Sequence, residues 1–164
     1  MTRVGTPCNV NWPSSRHRWR TASDSCVVSS RPAPFPTAFE AFVELFNQEA
    51  FWESHEVLEG PWRETGSDFY HGLILYASAF VHVQRGNPHG IGAQLVKAER
   101  FLQEFRPAYL GIDVGLLLSH ARVCRKVVRE NPDAPRDRWQ ELISFPKIRL
   151  RAEHRLGDEP ELTR

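Results

Sequence analysis

His55 and Glu59 stand four residues apart in the segment FWESHEVLE, residues 51–59. On a helix that spacing puts them on one face, with Trp62 continuing the face and Glu56 about 100° round. Farther on, His71, Leu75, Ser78 and His82 recur at the spacing of a second helical stripe. Short connections make consecutive helices antiparallel neighbours, so the start of one faces the end of the other. His55 and Glu59 then approach Ser78 and His82. Three chemistries suit such a cluster. Two imidazoles and a carboxylate are ligand types for zinc, iron or manganese. With His55, Glu59 and His82 as metal ligands, the product is a metal-assisted hydrolase in which Glu56 or Glu59 takes a proton from bound water. Without metal, His55 or His82 carries a proton and Glu59 orients it. Third, the cluster is a buried network that fixes helix register, with Glu59 also pairing with Arg63, or it lines a binding pocket. Buried polar groups usually satisfy one another, so this structural or binding reading leads and the hydrolase is its alternative.

The motif matches are partial. The zincin pattern H-E-x-x-H has Glu59 where its second His belongs, and no pair of E-x-x-H segments occurs for a di-iron bundle. Trp52, Trp62, Ser78 and Asn87 are the binding candidates. The two indoles suit core or groove aromatics in a surface for a peptide or partner subunit, and Asn87 also suits turn chemistry. His71 reads as a partly exposed side chain. His17, His89 and His154 read as solvated, and His120 as capping the inner cluster or facing water. No Gly-rich phosphate loop, nucleophile elbow or Cys/His nucleophile pair is present.

The elements that must position these groups are helical. Phe39, Phe42, Val43 and Phe46 give an amphipathic stripe from residue 36, which Asn47 ends. A second helix is expected from about Ala50 to Trp62, where Gly60-Pro61 kinks or stops it. Thr65-Gly66-Ser67-Asp68 is a turn that also offers a cap. Phe69 to Arg85 is apolar nearly all round, the mark of a central helix. Gly86 suits a left-handed helix end, and Pro88 starts the next helix, running to about Phe105. Asp113 caps a fifth helix that reaches about Arg129. A short helix follows around Arg136 to Ile143, then an extended Phe145 to Leu150. No run alternates like a strand. The fold class is therefore all-α: a compact bundle of about five helices with a short C-terminal helix. The domain is expected over 36–150, behind a disordered tail or upstream start-site extension over 1–35, with a fraying tail over 151–164.

Composition bounds the partners. The chain has 164 residues and a net charge of +1. Five Arg against the single acid Asp24 make residues 1–36 basic, which leaves the rest slightly acidic and without a basic stripe. That argues against nucleic acid, and the patch from His17 to Arg20 is too short to reverse it. No apolar run approaches a membrane span. Cys8, Cys26 and Cys124 form no C-x-x-C pair, which argues against a disulfide framework or thiolate zinc site and points to a reducing, cytoplasmic setting. Organelle import through the Arg- and Ser-rich first 35 residues is the alternative. No specific partner is indicated, and self-association remains open.

Several motifs in order (FNQEAFWESHEVLEGPWRE, YHGLILYASAFVHVQRGNPHGIGAQLVKAERFL and RPAYLGID) resemble the bacterial, archaeal and plastid-lineage family known as domain of unknown function 309, DUF309, over about residues 46–128. The family's motif residues fall on Phe51, His55, Glu56, Glu59, Trp62, Gly72, Ile74, His82, Gly86, Asn87 and Ala98. The resemblance implies a compact multihelical bundle and brings no established activity with it. It also implies that His71 and Leu75 stand where the family commonly has Gln, so a pocket shared with His55 and His82 is altered here.

Overall fold

Among the described residues, six α-helices are built from the periodicities above. The structure, a computed structural model, describes residues 35–161. The expectations for residues 1–34, including the tail, His17, Cys8 and Cys26, lie outside the described residues. Helix α1, Thr37–Asn47, buries Phe39, Phe42, Val43 and Phe46, the stripe expected of it. Helix α2, Phe51–Thr65, runs one turn beyond the expected stop, with Pro61 inside it. Proline removes one donor, but the stop is set by Gly66 in the left-handed conformation at φ 69°, whose N–H closes on the Trp62 carbonyl at 2.8 Å. Thr65 Oγ1 donates to the Pro61 carbonyl at 2.8 Å and fastens the same turn.

Helix α3, Asp68–Gln84, is the central rod. Ser67 caps it by accepting from the Tyr70 N–H at 3.1 Å. It packs against α2 on one side and against α4, Pro88–Leu102, on the other, while α1 lies on α2. Helix α4 ends in a 3₁₀ turn over Gln103–Phe105. A two-residue ladder follows, β1 (Ala108–Tyr109) against antiparallel β2 (Ile112–Asp113). Leu110 and Gly111, both at positive φ, reverse the chain between them. The sequence shows no strand because two residues cannot display alternation. Asp113 caps α5, Val114–Glu130, by accepting from the Leu116 N–H at 2.7 Å. Arg122 and Arg125 of α5 clamp Glu99 of α4 at 2.7 and 2.6 Å.

The expected short helix is a 3₁₀ turn, Arg136–Arg138, running into α6, Trp139–Leu142, whose Trp139 is fully buried. The extended run after it is held by Asn47. Its side chain donates to the Ile148 carbonyl at 2.8 Å and accepts from the Ile148 N–H at 2.7 Å. Residues 151–161, marked by composition as a fraying tail, make specific contacts instead. Glu159 accepts from Ser67 Oγ at 2.8 Å, and Glu161 accepts from the Thr37 N–H at 2.9 Å. No helix among the described residues is long and apolar enough to cross a membrane. The core is a web of rings centred on Phe46, which meets Phe42, Phe51, Tyr76 and Phe80 at 5.0–5.8 Å.

Candidate functional site

Along α2, Phe51, Ser54 and Leu58 face the core, which turns His55, Glu59 and Trp62 to the flank of the helix and Trp52 and Glu56 to solvent. His55 Nε2 stands 3.3 Å from one oxygen of Glu59, and Arg63 holds the other at 2.5 Å. The His55 ring is stacked on the Trp52 indole, 5.3 Å between centroids, and Arg85 from the end of α3 lies over the same indole at 5.4 Å. The expected Glu59–Arg63 pair is therefore present. Glu56 is exposed and stands apart from the imidazole, so the two proposed proton acceptors of this helix do not converge.

The α3 stripe runs beside this flank. At one end His71 is packed between Trp62 of α2, 4.4 Å, and Phe101 of α4, 4.3 Å. At the other end His82 is pressed against α4, so closely that a Cβ at Gly90 would overlap its ring. Asn87 Nδ2 donates to His82 Nδ1 at 3.2 Å, while Asn87 Oδ1 caps α4 by accepting from the Gly90 N–H at 3.1 Å. His82 therefore keeps its proton on Nε2. Burial and the Arg85 charge both lower its pKa, so the ring is neutral at pH 7. Asn87 performs the turn chemistry foreseen for it, and it also orients His82. Ser78 lies half-buried midway along the stripe, with Leu75 one turn before it.

These positions bear on the expected metal ligands. Among the described residues no group of three or more His, Cys, Asp or Glu stands close enough to hold a metal ion. His55 is turned to Glu59 and Trp52 on α2, whereas His82 is committed to Asn87 and Gly90 at the start of α4. The antiparallel arrangement is as expected, but the helical stripe carries His82 to the α4 side of α3. His55 and His82 thus face different neighbours, and the two imidazoles are not brought together with Glu59 in one cluster.

Two polar atoms on this face stay unpaired. His55 Nδ1 and Gln94 Oε1 are buried without a hydrogen-bond partner. Gln94 lies on the edge of α4 that carries Gly90 one turn earlier and Phe101 two turns later, and so flanks the middle of the α3 stripe opposite the α2 wall. Sequence reasoning passed over Gln94. Its only signal is that helical relation to the Gly90 and Phe101 positions, which needs the α3–α4 contacts to be recognised.

A second polar group was also missed. Tyr76 is buried in α3, and its hydroxyl meets His120 Nδ1 at 3.0 Å, with Cys124 Sγ 3.7 Å from the same nitrogen. His120 stacks on Phe80 at 5.9 Å. Its neighbours are Tyr76, Phe80 and Cys124, and its ring is half-buried. Burial lowers its pKa against an opposing hydrogen bond to the Ser144 backbone, and burial raises the Cys124 thiol to about 11. His71 is likewise lowered, chiefly by burial. For all three imidazoles the unfolded chain takes up protons first as pH falls. Their contribution to stability is complete above the ordinary histidine value of about 6.5 and is lost below it. The midpoint of urea unfolding should therefore fall between about pH 7.5 and pH 5.5, and His120→Gln should flatten the slope. A midpoint constant across that range would contradict the burial of these rings.

The model of the family DUF309, a domain of unknown function, matches residues 39–93. Over that segment the resemblance read from the motifs holds. The match begins in α1 and ends in α4, and so takes in every motif residue from Phe51 to Asn87 but stops short of Ala98. Neither the curated proteins nor the solved structures compared with the chain gave a match.

Proposed function

We propose that the protein is a binding module, and that the face where α2 and α4 flank the α3 stripe is its contact surface. The observation that carries the reading is the pair of buried, unpartnered atoms on opposite walls, His55 Nδ1 and Gln94 Oε1. A buried polar group without a partner costs about 1 to 3 kcal/mol, and a bound ligand is one way such a group is satisfied. His55 Nε2 lies 3.3 Å from Glu59, which leaves Nδ1 as the unengaged ring nitrogen, and Gln94 Oε1 is an acceptor. The complementary ligand is one that brings an N–H or O–H donor to Gln94 Oε1. Trp52, 45% exposed and held between His55 and Arg85, supplies the kind of pre-ordered aromatic that anchors interfaces. Trp62, Ser78 and Asn87 belong to the same face. Nothing observed favours the metal-assisted alternative.

The test is Gln94→Leu. If Gln94 waits for a ligand, the apolar replacement removes an unsatisfied group and stabilises the free protein, by about 1 kcal/mol or more in urea unfolding. The same change should abolish photocrosslinking to a partner from a benzoylphenylalanine placed at exposed Glu56 in cells. If Gln94→Leu instead destabilises the fold, the amide is an internal strut and the binding reading fails. No crosslinked species from position 56 would also overturn it.

A further inference from the structure

A cavity of about 490 Å³ lies on another part of the bundle, where the start of α5 and strand β2 meet the chain from Pro146 to His154. Its volume is within the range of small-molecule sites, about 300 to 1,000 Å³. The walls are apolar, from Ile112, Leu117 and Ile148, and Leu116, 68% exposed, stands at the mouth. The floor is the Tyr76–His120 pair, whose polar atoms already bond one another.

The polar lining is lopsided in charge. Lys147, Arg149 and Arg151 all border the cavity, against one carboxylate, Asp113, which is engaged at the N-terminus of α5. Lys147 has Glu49 at 3.0 Å, and Arg151 reaches Glu153 only at 3.8 Å. Arg149 pairs with no acid among the described residues. His154, which the sequence placed in a solvated tail, lines the same cavity, and its Nδ1 is buried without a partner. An apolar wall, surplus positive charge and an unused ring nitrogen are what a hydrocarbon acid requires.

We propose that this cavity binds an organic anion with an apolar body, a monocarboxylate whose headgroup meets Arg149, with Arg151 and His154 beside it, and whose hydrocarbon lies against Ile112, Leu117 and Ile148. The site is separate from the α2–α4 face and does not depend on the function proposed for it.

Titration calorimetry of the full chain with octanoate and with naphthoate tests it, with octanamide as the neutral counterpart. At least one of the two acids should bind at one per chain. Octanamide, and either acid with Arg149→Glu, should bind more weakly by about tenfold or more, while Arg149→Lys stays within about threefold of the parent. Arg149 is exposed, so these variants should melt like the parent. Saturable binding of neither acid, equal binding of octanoate and octanamide, or an Arg149→Glu variant that binds as the parent does would each overturn the proposal.

Discussion

Phe51→Ala lowers the stability of the domain by about 3 to 5 kcal/mol, the range for removing a fully buried aromatic ring, with the urea m-value unchanged. Phe51 is completely buried at the first position of α2. Its ring meets Phe46 of α1 at 5.0 Å, Phe80 of α3 at 5.2 Å and Phe145 of the C-terminal extended run at 5.0 Å. One side chain thus ties four parts of the chain together. Three of its partners are themselves large rings, held by rings in turn, so the space left cannot close by a small adjustment. A loss below about 1 kcal/mol would mean that the ring web repacks freely and does not hold the start of α2 in place. The consequence reaches the contact face, because Trp52 and His55 are carried by the same turn.

Phe51 also shows why the bundle was legible. Its helix and the stripe of α1 follow a 3.6-residue period, and α3 declares itself central by being apolar on nearly every side. Caps at Ser67, Asn87 and Asp113 are local devices, written in residues adjacent to the turns they stabilise. What escaped depends on distant partners. Nothing near Pro61 announces that α2 continues to Gly66, since the energy that carries it over comes from packing and from the glycine end beyond. The segment 151–161 looks like a tail until Ser67, Thr37 and Tyr109 receive it.

The site was legible one helix at a time. His55, Glu59 and Arg63 interact within α2, and that relation needs only the spacing of four. The step to His82 required knowing which side of α3 it occupies relative to two neighbours. The residues His71, Leu75, Ser78 and His82 form one stripe, but α2 and α4 both border it, and Trp62 and Phe101 share His71 between them. Periodicity gives the face of a helix and leaves open which neighbour a side chain on the border will choose. His82 chose α4 because Gly90 leaves room for its ring and Asn87 offers a donor. For the same reason Gln94 and the basic cavity near Arg149 were invisible, since both exist only through contacts between segments far apart in the chain.

Gly86→Ala is the second change with a large expected effect, because two independent penalties fall on one methyl group. Gly86 sits at φ 60°, the left-handed region that costs an L-residue about 1 to 2 kcal/mol. A Cβ there would also overlap both the side chain and the backbone carbonyl of Arg136. The side chain can swing away, but the carbonyl cannot without moving the 3₁₀ turn that leads into α6, adding about 1 to 3 kcal/mol. That turn is fastened by Arg136 Nε donating to the Arg85 carbonyl at 2.7 Å, and it leads directly to buried Trp139. Urea unfolding should show the summed loss, and acrylamide should quench tryptophan fluorescence more strongly as the Trp139 segment loosens. Arg136→Ala in the same chain separates the contributions, since it removes the side-chain overlap and leaves the carbonyl in place. The double variant should recover only part of the loss. Full recovery would show that the Arg136 side chain alone demands glycine at 86, and that neither the left-handed backbone nor the approach of the chain at 136 does.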